Sequence, residues 1–256
     1  MMKKRVFAIS AHPDDIEFMM AGTFLLLGKA GYELHYMTLA NGSCGTVDQD
    51  RDSIVRIRTQ EARNAAAFAG AIYHEPLVDD LDIYYERSIL TRLSSIIRQV
   101  SPEIILTHSP DEYMEDHSNT CRLVLTAAFT RGMPNYPVNP PSDAVDQPVT
   151  IYHALPHSLI DPLCNPVIPG MYVDISSIMQ EKVKMLSMHQ SQKEWLDKSQ
   201  GMDSYLHEMK NLCQEIGRLS NKFEYAEGWR KHLHLGYCDA SAAPIEDALG
   251  QYVYIP

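Results

Sequence analysis

Cysteine is scarce in this chain and never closely paired: Cys44, Cys121, Cys164, Cys213 and Cys238 are five in number, far apart, and form no C-x-x-C. An odd, scattered set argues against a disulfide framework and a cysteine-built zinc site, and it predicts free thiols in a reducing, cytoplasmic compartment. Positive charge is also in short supply. With 22 Lys and Arg against 33 Asp and Glu, the formal charge is −11 and the isoelectric point lies near 5.4. No basic stripe is available to neutralise phosphates, which argues against nucleic acid or an anionic membrane as partner and leaves a neutral or small polar molecule. Long apolar runs are missing as well, none approaching the ~20 residues of a membrane helix. The opening Met-Met-Lys-Lys-Arg starts like a secretion leader, but only Val6 to Ile9 separate it from Ser10 and the polar His12-Pro13-Asp14, so it reads as a first strand. Internal repeats and low-complexity tracts are absent. So is a G-x-G-x-x-G after the first strand, which removes support for dinucleotide binding.

What is present is a chain of 256 residues, 45% apolar, able to bury a sizeable core. We read it as a single domain over 1–256, with a core at about 5–190 and a C-terminal helical extension at about 191–256. Strand and helix patterns alternate through the first half, which predicts βαβ units and an α/β fold with a mainly parallel sheet flanked by helices. Strands are expected at Arg5–Ser10, Glu33–Leu39, Glu103–Thr107, Val149–His153 and Met171–Ile175. Helices are expected at Glu17–Ala30, Ser53–Ala69, Glu86–Val100, Ser118–Thr130, Ser176–Met188 and Ser204–Lys231. The Pro- and Asn-rich stretch Met133–Ser142 reads as a long loop and a candidate lid.

The densest chemistry is Ala11-His12-Pro13-Asp14-Asp15-Ile16-Glu17, directly after the first strand. In open α/β sheets, ligands collect at the carboxyl ends of strands. His12 and Asp15 are three apart in a tight turn, and Pro13 holds His12 extended, so one nitrogen and one oxygen can converge. Zinc accepts that mixture, and hydrolytic zinc sites commonly use three protein ligands with a fourth position open to water. Asp14 is then free to act as a base. The alternative, that Asp14 or Asp15 only caps the next helix, loses ground because a second polar cluster, His108-Ser-Pro-Asp-Glu-Tyr-Met-Glu-Asp-His117, follows the strand at 103–107 in the same way. On one sheet edge, His117 can approach His12 and Asp15.

With both clusters in view, the chain resembles the PIG-L/LmbE family of zinc-dependent N-acetylglucosaminyl deacetylases. The family motif A-H-P-D-D-x-E is present whole at 11–17, and its H-P-D-H aligns with Met114-Glu115-Asp116-His117. Arg58-Thr-Gln-Glu61 with Ala65, Ala66 and Gly70 is similar to the R-x-x-E helix. Tyr172-Val-Asp-Ile175, Lys182 and His189-Gln-Ser-Gln192 are similar to a D-I…K…H-x-S-Q segment, and the likeness runs from about 5 to 229. The resemblance implies a Rossmann-like fold with zinc on His12, Asp15 and His117, Asp14 as general base, and an N-acetylated sugar or sugar conjugate as substrate. Iron and cobalt tolerate the same ligands. It also implies a homo-oligomer, a trimer or hexamer. Met114 stands where relatives carry an oxyanion-stabilising histidine, and a thioether cannot donate a hydrogen bond.

Five further positions are weighed. Asp116 either orients a site histidine or caps the helix beginning near it. Arg58 is either a surface partner of Glu61 or, as the family match implies, a residue under the pocket that contacts substrate or Asp14. His189 either replaces the missing oxyanion donor or is a buried helix histidine. His108 and Asp111 are alternative ligands, but the family match favours His117, which leaves them as loop residues near the site. The expected function is removal of an acetyl group from an N-acetylglucosamine-type substrate; the alternatives are a zinc amidase acting on another amide, such as a thiol conjugate, and a carbohydrate-binding protein without activity.

Overall fold

Both faces of the central strands are covered, and their residues are apolar throughout for that reason. In β1 (Arg5–Ser10), Val6 and Ala8 join one core while Phe7 and Ile9 join the other, as the two-residue period of a strand requires. The computed structural model describes residues 3–193 and 205–256. The other strands are β2 (Glu33–Thr38), β3 (Ile72–His74), β4 (Ile104–Thr107), β5 (Thr150–Ala154), β6 (Met171–Asp174), β7 (Ala226–Lys231) and β8 (Val253–Tyr254). They form one sheet in the order β3-β2-β1-β4-β5-β7-β6-β8. β1 to β5 are parallel, whereas β7 runs antiparallel to β5 and β6, and β8 antiparallel to β6.

Helices α4 (Arg87–Val100) and α5 (Glu115–Phe129) cover the Phe7 and Ile9 face through Ile89, Leu93, Ile97, Leu123 and Val124. The opposite core is filled from α2 (Ala21–Lys29), α3 (Arg51–Phe68), α6 (Met179–Leu186) and α7 (Tyr205–Ser220), with Phe24, Leu27, Ala65, Met185 and Met209 buried there. The short helices α1 (Asp15–Met19) and α8 (Pro244–Leu249) complete the set. The chain turns to one side of β1 for β2 and β3 and to the other for β4 and β5. The crevice between the carboxyl ends of β1 and β4 is therefore the switch point at which such sheets bind ligands.

Two expectations are corrected here. The helix expected over Glu17–Ala30 is two helices, broken at Met20, whose φ of −130° leaves the helical region. The new N-terminus of α2 is capped from across the core: Glu227 on β7 accepts hydrogen bonds from the amides of Gly22 and Thr23, both at 2.7 Å, where a negative charge is favoured. Lys182, fully buried, pairs with Glu227. The helix expected over Ser204–Lys231 ends at Ser220, and its second half is strand β7; Ser204 lies outside the described residues. Gly228 sits in that strand because a Cβ there would meet Leu155 at 2.6 Å. The C-terminal part thus completes the sheet and is not wholly helical.

Removing one member of the buried pair leaves the other charge uncompensated. Lys182→Met is expected to lower stability by about 3–5 kcal/mol, read as a fall in the denaturation midpoint with an unchanged m-value; a loss below about 1 kcal/mol would show that the pair is not needed.

The Met133–Ser142 loop, expected as a lid, is fastened instead. Arg98 donates to the carbonyls of Met133, Tyr136 and Ser142, and none of these loop residues lines the cavity described next.

Candidate functional site

The segments leaving β1 and β4 emerge side by side because those strands pair in register, Val6 with Ile104 and Ala8 with Leu106. Between them opens a cavity of about 410 Å³ that includes His12, Asp14, Asp15, Arg58, His108 and His117 in its lining. Ligand atoms of His12, Asp15 and His117 lie within 4.8 Å of one another. The Nε2 of His117 is 3.5 Å from Asp15 Oδ1, and the Nδ1 of His12 is 3.6 Å from Asp15 Oδ2. Both ring nitrogens of His117 are buried without a hydrogen-bond partner, a cost that an ion would relieve. The donor set of two imidazoles and one carboxylate suits zinc and similar divalent ions.

Neighbouring carboxylates orient the histidines. Asp116 Oδ2 lies 2.9 Å from His12 Nε2 and also accepts the Leu81 amide at 2.8 Å. Asp116 makes no capping bond; Met114 occupies the cap position of α5. Glu112 Oε2 is 3.5 Å from His117 Nδ1. Burial works to lower the His12 imidazole, but Asp116 and Asp15 outweigh it and push it up to about 10. Burial likewise opposes charge on His117, and Asp15 and Glu112 raise it. The Asp15 carboxyl, which burial would raise, is held well below the usual carboxylate range by His117, His108 and His12.

A second group, His108, Glu112 and His117, also has ligand atoms within 4.8 Å of one another. His108 and His117, however, are stacked at 4.1 Å with planes only 13° apart. Lone pairs in two parallel rings run side by side and do not converge on one ion. The Nε2 of His108 also accepts the Ala11 amide at 2.9 Å. That histidine supports the ring of His117.

Asp14 stands at the cap position of α1 with φ +107°, yet its side chain caps nothing. A non-glycine residue in this region is strained by roughly 1 kcal/mol or more, and such strain gathers at functional sites. Its carboxylate lines the cavity, accepts a 2.6 Å hydrogen bond from the Tyr205 hydroxyl and lies 3.5 Å from Arg58. Burial raises its pKa, and Arg58 partly offsets this. Arg58 is buried and donates to the Pro13 carbonyl at 2.5 Å. Its packing explains two glycines: a Cβ at Gly42, where φ is +82°, or at Gly45 would collide with the Arg58 side chain. Glu61 is not its partner, since Glu61 accepts from Ser191.

His189 is not brought to the cavity. It is fully buried, with Nε2 3.4 Å from Glu17, which in turn accepts from Tyr36. Asp111 is exposed and outside the lining. Sequence reasoning missed Tyr205, Asp80, Leu81 and Glu112 as site residues. Glu112 lies inside the second polar cluster and was findable there; Tyr205, 191 residues from Asp14, gave no signal.

Comparison with known proteins finds relatives in sequence and in structure. A diacetylchitobiose deacetylase of Thermococcus kodakarensis is 28% identical over 199 residues, 74% of this chain and 70% of the relative. A 4-oxalmesaconate hydratase of Pseudomonas putida is 26% identical over 188 residues, 70% of each chain. In structure, the N,N'-diacetylchitobiose deacetylase of Pyrococcus horikoshii shares the fold with a TM-score of 0.72 at 23% identity, covering 95% of this chain and 89% of the other. Residues 7–128, just under half of the chain and the stretch that carries both polar clusters, match the PIG-L family, GlcNAc-PI de-N-acetylase.

Proposed function

We propose that the protein is a metal-dependent amide hydrolase that removes the acetyl group from an N-acetylglucosamine-type substrate. The observation that carries this reading is Asp14: a strained, partly buried carboxylate with a raised pKa, turned into a cavity beside His12, Asp15 and His117. Those three residues would hold the ion. When bound, zinc supplies Lewis acidity toward the attacking water and the amide carbonyl; iron or cobalt would suit the same ligands. Asp14 takes a proton from the attacking water and returns it to the departing nitrogen. Tyr205, by its hydrogen bond, fixes the direction of that carboxylate. Arg58 holds the Pro13 carbonyl and so the turn that carries His12 and Asp14. The donor that Met114 cannot provide is assigned to the Tyr113 hydroxyl: that ring also lines the cavity, edge-on to His117 at 5.6 Å.

The hydratase relative raises a second reaction class. A substrate named as a carboxylate finds little beyond the ion to bind it here. The cavity lining includes Asp14, Asp15, Asp80, Glu112 and Glu208, its histidines His12 and His117 lie against Asp116, Asp15 and Glu112, and among the described residues Arg58 is its one Lys or Arg. A neutral amide, whose product is an ammonium, fits better. The test is a paired assay on metal-loaded protein. Free amine and acetate from N-acetylated amino sugars, with no hydration of 4-oxalmesaconate, supports amide hydrolysis; the reverse pattern overturns it.

The orienting role of Asp116 is tested separately. Asp116→Asn is expected to weaken metal binding by about 10–100-fold, measured by competition with a chromogenic chelator; unchanged affinity would remove Asp116 from this role.

A further inference from the structure

We propose that the mouth of the cavity selects an uncharged, apolar group attached to the amino sugar, and that Leu81 is the residue that reads it; this rests on the amide-hydrolase reading above. Leu81 is 61% exposed and Tyr113 62% exposed, and both line the cavity together with Phe18, Met19 and Met114. Leu81 also has φ +65°, a conformation that favours glycine or asparagine over a bulky side chain. Leucine at this position is strained and leaves apolar surface in water. It is held there because its amide donates to Asp116, the carboxylate that orients His12. The mouth and the candidate ion site are therefore joined through one carboxylate, and the exposed side chain stands over the cavity.

Charge narrows the choice of occupant. Five carboxylates line the cavity. His12 and His117, or an ion in their place, offset Asp15 and Glu112, and Arg58 is engaged with Pro13 and close to Asp14. Among the described residues, no further Lys or Arg of the lining is left to meet an added carboxylate. Glu208, on α7, is exposed in the lining. A carboxylate-bearing substrate is repelled by such a surface, whereas an apolar group gains from covering Leu81 and Tyr113. This group sits at C1, as the aglycone, next to the C2 amide that must lie at Asp14.

The test compares kcat/KM for N-acetylglucosamine, its octyl glycoside and its carboxymethyl glycoside on metal-loaded protein. Octyl is expected to exceed the free sugar by about tenfold or more, and carboxymethyl to fall below both. Leu81→Asn, which keeps a residue tolerant of positive φ, is expected to cut the octyl-to-free ratio by about fivefold, and Glu208→Lys to raise carboxymethyl relative to octyl. Ratios within about threefold of one another, or a ratio unchanged in Leu81→Asn, overturn the inference. If no amide is cleaved, the hydrolase reading falls, and calorimetry with octyl, free and carboxymethyl glucosamine decides the mouth alone: tightest binding of octyl sustains its selectivity, and equal binding overturns that too.

Discussion

Asp14→Asn is expected to lower kcat for amide cleavage by at least ~10³-fold while metal content and KM stay close to those of the parent protein. The substitution keeps shape and can keep the hydrogen bond from Tyr205, but an amide oxygen cannot carry a proton from the attacking water to the leaving nitrogen. General acid–base catalysis of this kind contributes about 10²–10⁴-fold, and Asp14 serves in both directions. The side chain is not one of the three that would hold the ion, so the loss falls on an interaction made only in the transition state. Elemental analysis beside steady-state kinetics separates the two effects. Activity within tenfold of the parent would remove Asp14 as the base.

The second large effect is on the ion itself. His117→Ala is expected to reduce bound metal from about one per chain to below a tenth, with complete loss of turnover, because a site of three protein ligands does not survive as two. The pH dependence has a definite sign. In the metal-free site, neighbouring carboxylates raise His12 to about 10 and raise His117 as well, against the opposing effect of burial. His12 carries a proton at neutral pH, and His117 is biased toward one, unless an ion displaces it. Apparent affinity must therefore fall as pH falls, by about tenfold per unit for each proton displaced, or up to ~100-fold between pH 7 and pH 6. Chelator competition across that range reads it directly, and an affinity independent of pH would contradict the assignment of these two histidines.

Much of this arrangement was legible in the residues. Ala11 to Glu17 and His108 to His117 each follow a strong apolar strand, and parallel strands put their carboxyl ends on one edge, so the meeting of the two clusters followed from pattern, while the choice of His117 over His108 and Asp111 came from the family resemblance. The remainder depended on tertiary packing. Ala226–Lys231 lacks β-branched residues and contains Gly228, so local propensity favoured the preceding helix; only pairing with β5 and β6 makes it a strand. The break at Met20 is invisible without Glu227, which arrives from that same strand. His189 was placed near the site by motif, but direction is not encoded in a motif, and it points into the core toward Glu17. Tyr205 reaches Asp14 only through the packing of α7. Leu81 is legible in neither hydropathy nor motif, because its significance is a backbone angle and one hydrogen bond to Asp116.

The most direct test of the site is anomalous scattering at the zinc edge from crystals of the zinc-loaded protein. A single peak per chain within ~2.2 Å of His12 Nδ1, His117 Nε2 and an Asp15 oxygen, with Asp14 beside it and not bound to it, is the expected result. A peak held by His108, Glu112 and His117, or none in this cavity, would contradict it.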